Sequence, residues 1–158
     1  MKKSYSFFLT FFIFVFSIVG LAQDRSLRQK KFKEMKLNFL LDNLDLTTEE
    51  EEHFYCIFNT YEDEYHNKVW TKELQIKKQV KESFDTIKSQ SASKYITEYQ
   101  ELEKLGLTIK NERNKKMLNK IRSKEVLNFL SQEQRFDQEM FKRIRDHKKK
   151  KEVKKKKE

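Results

Sequence analysis

Apolar side chains recur along this chain at steps of three, four or seven, the spacing of an amphipathic helix rather than the alternation of a strand. From Asp24 to Asn43, the residues Leu27, Phe32, Met35, Phe39 and Leu40 fall near one stripe with Lys and Arg on the other side, which predicts a first helix. Thr47 or Thr48 then offers a capping hydroxyl, with Glu50 or Glu51 three residues later to close a capping box. The acidic run Glu49 to Glu52 suits the positive end of a helix dipole. A second helix is predicted from Thr48 to Lys88 on Phe54, Phe58, Tyr61, Tyr65, Val69, Ile76, Val80, Phe84 and Ile87. At about 41 residues it would reach roughly 60 Å, so an elongated molecule is expected. Trp70, beside Val69, either widens the apolar face or lies on the exposed side.

Ser89-Gln90-Ser91-Ala92-Ser93 predicts a turn and a cap, because serine hydroxyls compete for backbone hydrogen bonds. A third helix follows on Tyr95, Tyr99, Leu102, Leu105, Ile109, Leu118 and Ile121, loosened at Gly106 by about 1 kcal/mol. Ile121 to Glu125 predicts a second short break with Ser123 as its cap. The fourth helix carries Val126, Phe129, Leu130, Phe136, Met140 and Ile144, and its phase persists through Ser131. With no proline, two glycines and no turn dipeptides between alternating runs, the fold class is all-α, with four helices, one of them long. No solenoid repeat is present.

The first residues follow a different pattern. Lys2 and Lys3 precede an apolar run from Phe7 to Leu21, and Gly20-Leu21-Ala22 places small residues two positions apart. That is the layout of a secretory signal peptide, with cleavage expected after Ala22 and a destination outside the cytoplasm, which the resemblance given below narrows to the periplasm. At about 15 residues the run falls short of the roughly 20 that span a bilayer, and an uncleaved anchor is the alternative. The expected organisation is a signal over 1–22, a helical domain over 23–147 and a basic tail over 148–158.

Charge changes the picture once it is divided along the chain. Of the formal net charge of +10, the signal carries +2, and Arg145 to Glu158 carries +6 from nine basic and three acidic residues. The intervening body is left with only +2. A nearly balanced helical body with a cationic end is not a nucleic-acid binder, so no nucleic-acid partner is expected.

Candidate chemistry is sparse. The single cysteine, Cys56, excludes an internal disulfide and is expected to be a small buried hydrophobe. His53 and Cys56 lie three apart with Glu49 and Glu50 one turn back, a face that could hold zinc or copper and would make the chain a metal sensor. A helix-start histidine beside a buried thiol is the favoured reading, so no metal site is assigned. His66 and His147 are expected in solvent. There is no glycine-rich phosphate loop and no nucleophile with a base, so neither a catalytic residue nor a cofactor is expected, and the chain is not read as an enzyme. The ladder Phe54, Phe58, Tyr61 and Tyr65 is first of all core. Slender helices leave apolar area uncovered, however, so these residues with Trp70 are the candidate client- or partner-binding surface, or the contact of a homodimer. Lys148, Lys149, Lys150, Lys151, Lys154, Lys155, Lys156 and Lys157 are too charged to bury. They are expected as a frayed extension or as an attachment to an anionic membrane surface, the alternative function for the whole chain.

Two short stretches carry a family resemblance. Leu46-Thr47-Thr48-Glu49-Glu50 resembles the L-T-x-x-Q motif of the periplasmic stress proteins of the Spy/CpxP type, with Glu50 in place of glutamine. Leu130-Ser131-Gln132-Glu133-Gln134 resembles a second copy, with Ser131 in place of threonine. Leu44 to Tyr61 and Glu133 to Ile144 are also similar to exported relatives described as sensors for extracytoplasmic-function sigma factors. The resemblance implies a hooked, cradle-like four-helix subunit, often dimeric and without cofactor. It implies a protein that holds non-native envelope proteins without ATP, or one that partners a stress-signalling protein. Leu46, Thr47, Glu50, Leu130, Ser131 and Gln134 would then be motif and capping residues.

Overall fold

The computed structural model describes residues 27–155, so the expected signal over 1–22, the cleavage after Ala22, and Lys156 and Lys157 lie outside the described residues. Among the described residues four helical stretches and no strand occur. The chain divides into two compact units, residues 1–39 and 40–158.

In the first unit the described residues belong to helix α1, residues 27–41. Its stripe is not the expected one. Leu27, Phe32 and Met35 are exposed, Phe39 is half-buried, and Leu37 is buried.

The second unit is organised around a helical rod from Thr48 to Thr86. It comprises α2 (Thr48–Tyr65), one π turn (His66–Trp70), α3 (Thr71–Ser83) and a closing 3₁₀ turn (Phe84–Thr86). α4 (Ser89–Leu118) returns along α2 and α3, and α5 (Ser123–Lys155) packs on α4. The rod agrees with the long helix expected over Thr48 to Lys88, ending two residues sooner. The break falls at Ile87 and Lys88, both extended, instead of in the serine run. Ser89 to Ser93 form the first turns of α4, and Ser93 Oγ donates to the Ser89 carbonyl at 3.1 Å. The hydroxyl therefore bonds back along its own helix rather than capping it. At the α5 start the Arg122 carbonyl accepts from the Glu125 and Val126 N–H groups. Arg122 therefore holds the cap position expected of Ser123, which is the first helical residue.

Two clusters fill the interior of this unit. Val69, Ile76, Leu102 and Ile109 form one, flanked by Tyr61, Tyr65, Val80, Tyr95, Tyr99 and Leu105. Near the α5 start, Phe54 stacks on Phe58 with ring centroids 5.7 Å apart and meets Phe129 edge-on at 5.5 Å. Aromatic pairs of that geometry add about 0.5–1.5 kcal/mol beyond burial. The α4 stripe runs one position off expectation at its end: Met117 is fully buried, whereas Leu118 is exposed. Phe84, Leu130 and Ile144 also face solvent, and so does Cys56, which is not the buried hydrophobe expected of it.

Candidate partner-binding surface

The first motif is a structural clasp. The Thr47 hydroxyl accepts from the Glu50 N–H at 3.3 Å, and the Glu50 carboxylate accepts from the Thr47 N–H at 3.0 Å, which completes a capping box at the start of α2. The same carboxylate accepts from the Arg122 backbone N–H at 2.8 Å and from its Nε and Nη2 at 2.9 Å. Arg122 Nη2 also donates to the Asp45 carbonyl. In the first turn of α5, Glu125 accepts from the Asp45 N–H at 3.0 Å, and three residues on Asn128 Nδ2 donates to the Asn43 carbonyl at 3.1 Å. The Arg122 guanidinium and the two backbone donors hold the Glu50 carboxyl down to about 2, and Glu50 in turn raises the Arg122 pKa. Leu46 is half-buried beside this clasp. With its lone pairs spent on the chain, the Glu50 carboxylate joins α2 to α5 and has little left for a ligand.

The second stretch does not repeat that geometry. Leu130, Ser131 and Gln134 are exposed positions inside α5, where no backbone N–H groups await a cap, so the capping role read for them is corrected. The residue of that stretch that bridges helices is Glu133. Arg113 on α4 is 3% exposed, donates to both Glu133 oxygens at 2.8 Å, and lies 4.6 Å over the Phe129 ring. Glu62 on α2 stands 3.8 Å from the same guanidinium, so three helices meet on one buried cation.

The aromatic ladder separates into interior and surface. Phe54 is 1% exposed and Phe58 0%, so they fill the core and offer nothing to a partner, a correction to the expected binding surface. Tyr61 is half-buried; loss of solvation first, then Glu112 and Glu64, raises its pKa. Tyr65 lines an open groove of about 220 Å³ between α2–α3 and α4, with Val69, Glu73, Leu102, Glu103, Gly106, Leu107 and Lys110. Gly106 shapes this groove: a Cβ there would lie 3.1 Å from the Tyr65 ring and 3.7 Å from Val69. Lys110 Nζ is 5.4 Å from the Tyr65 ring centroid, and Leu107 is 61% exposed at the edge. Trp70 is exposed and stacks on half-buried His66 at 4.7 Å, one turn before exposed Leu74.

Sequence reasoning missed Gly106, Leu107 and Lys110. The signal was present, because Gly106 falls on the inward row Leu102, Gly106, Ile109, Arg113, Met117 of a helix that otherwise avoids glycine. A glycine on an inward row marks close approach of another element. Ile96, Leu107 and Leu118 also repeat at steps of 11 residues, about three turns, so all three exposed side chains share one face of α4.

The remaining candidates stay apart. His53 Nε2 is 3.9 Å from Glu49, Cys56 is exposed one turn on, and among the described residues no group of three or more His, Cys, Asp or Glu could hold a metal. His147 is exposed, as is Lys149. The backbone of the basic tail is helical through Lys155 as a continuation of α5. No helix among the described residues is long and apolar enough to cross a membrane. Comparison with protein-family models, with curated proteins and with solved structures gives no match to this chain.

Proposed function

We propose that this chain is an exported helical binding protein of the envelope stress response, resembling the Spy/CpxP-type proteins. It holds apolar segments of non-native envelope proteins, or of a stress-signalling partner, without ATP. The observation that carries the reading is the groove at Gly106. Its floor of Val69, Leu102 and glycine backbone is apolar, its rim carries Glu73, Glu103 and Lys110, and exposed Leu107 stands beside it. A space of about 220 Å³ takes one or two apolar side chains, a weak and sequence-tolerant contact. Ile96 and Leu118, roughly 16 Å to either side of Leu107 along α4, add further apolar footholds for an extended segment. Single exposed apolar residues are ordinary; a row in phase with a groove is less so.

The test is light scattering of heat-unfolded citrate synthase with the purified chain in molar excess. Wild type is expected to suppress scattering. Leu107→Lys, a change at an exposed position, is expected to keep the wild-type melting temperature and to lose most of that effect. Undiminished scattering with wild type removes the holding role.

A further inference from the structure

α5 extends its apolar stripe beyond the part of the fold that covers it. Along the row Phe136, Met140, Ile144 the side chains pass from buried through half-buried to 53% exposed. Phe141, three residues before Ile144 and adjacent to it on the helix surface, is 67% exposed. The backbone continues as helix through Lys155, and Arg145 to Glu158 contribute nine basic against three acidic residues. Lys142 and Arg143 extend the same sign back to Phe141. Two large apolar side chains are thus bare at the start of a strongly cationic helix end.

We infer that the end of α5 lies on the surface of an anionic lipid bilayer, with Phe141 and Ile144 entering the boundary between headgroups and acyl chains. The positive charge that follows is held against the lipid phosphates. Charge complementarity selects an anionic partner, and the apolar pair selects a bilayer over a soluble acidic polymer, which would engage the charge alone. Contact through this end of α5 is peripheral, because the stretch from Phe141 onward is too densely charged to enter the hydrocarbon core. The inference does not depend on the groove having a client.

Sedimentation of the full chain with two kinds of vesicle tests it: equal parts phosphatidylglycerol and phosphatidylcholine, and phosphatidylcholine alone. Residues 1–22 carry +2 of their own and favour anionic vesicles too, so the readout is the ratio together with its change in variants of the α5 end that keep this segment. At 50 mM salt the anionic vesicles are expected to bind roughly tenfold more strongly or better, with the ratio falling towards one at 500 mM. Replacing Lys148, Lys149, Lys150 and Lys151 by Gln should lower anionic binding roughly tenfold. The pair Phe141→Ser and Ile144→Ser should lower it about fivefold or more, with unchanged thermal melting. A ratio near one at low salt overturns the inference, as does full anionic binding by the glutamine variant. If the serine variant binds both the vesicles and dextran sulfate as wild type does, the end of α5 is a polyanion site instead and the bilayer assignment falls.

Discussion

Replacing Glu50 by Gln would leave four donors, the N–H groups of Thr47 and Arg122 and two guanidinium nitrogens, facing a neutral amide. The folded carboxyl titrates at about 2 against an ordinary 4.5, so the native state favours the charged form. Its stabilisation is fully present above pH 4.5 and is lost as pH falls from there through about 2. Urea midpoints of wild type and Glu50→Gln should therefore differ most above pH 4.5 and converge towards pH 2. Parallel curves across that window would show that the clasp is not coupled to folding. Arg113 sets a different kind of demand, because a buried cation without its carboxylate costs more than the pair contributes. Glu133→Ala is expected to lose about 3 kcal/mol in urea unfolding, with Glu62 compensating in part. Arg113→Met combined with Glu133→Leu should be less damaging than Glu133→Ala alone, since an apolar pair leaves no orphaned charge. Additive losses would contradict that account. At Gly106 the gain of about 1 kcal/mol in helix propensity from alanine meets the Tyr65 ring at 3.1 Å, so Gly106→Ala should lie close to neutral. Gly106→Leu should cost roughly 1–3 kcal/mol by overpacking.

The π turn His66–Trp70 places one residue more than an α-helix needs, midway along the rod. Its loosened carbonyl is not orphaned: His66 O accepts from both the backbone N–H of Thr71 and, at 2.9 Å, its hydroxyl. Deleting exposed Asn67 should convert this stretch to regular α-helix and keep Ile76 and Val80 facing α4, with a thermal midpoint within a few degrees of wild type. Deleting Gln75 has no bulge to absorb it and rotates everything after it by about 100°, turning Ile76 and Val80 away from α4. It should melt markedly lower; equal midpoints for the two deletions would show that the turn is not a spare residue. The rod, the returning α4 and the capping box were legible because 3.6-residue periodicity and threonine–glutamate spacing are local properties. The π turn was not, since steps such as Val69 to Ile76 fit either helix type. The serine run misled because hydroxyls that bond back to their own helix look, in sequence, the same as hydroxyls that cap one.

For the whole molecule, what could not be read from the sequence is which apolar stripes end up covered. Phe54 and Phe58, read first as core and second as a partner surface, are buried, with Phe54 edge-on to Phe129 of α5. Ile144 belonged to the expected α5 stripe and is bare, as are Leu107 and Phe141, which no expected stripe included. Burial depends on where a partner helix stops, and that is a non-local outcome. Among the exposed apolar side chains of the described residues, those at the groove and those at the end of α5 sit in opposite electrostatic settings. The groove rim mixes Glu73 and Glu103 with Lys110, whereas the end of α5 is overwhelmingly basic. Salt should therefore separate them. Screening shortens from about 10 Å at 0.1 M to 3 Å at 1 M, which removes the attraction of lysines for lipid phosphates but leaves apolar contact intact. Raising sodium chloride from 50 to 500 mM is expected to abolish most vesicle binding while suppression of client scattering changes by less than twofold. If both fall together, one cationic surface serves both partners, and the groove at Gly106 is not where clients are held.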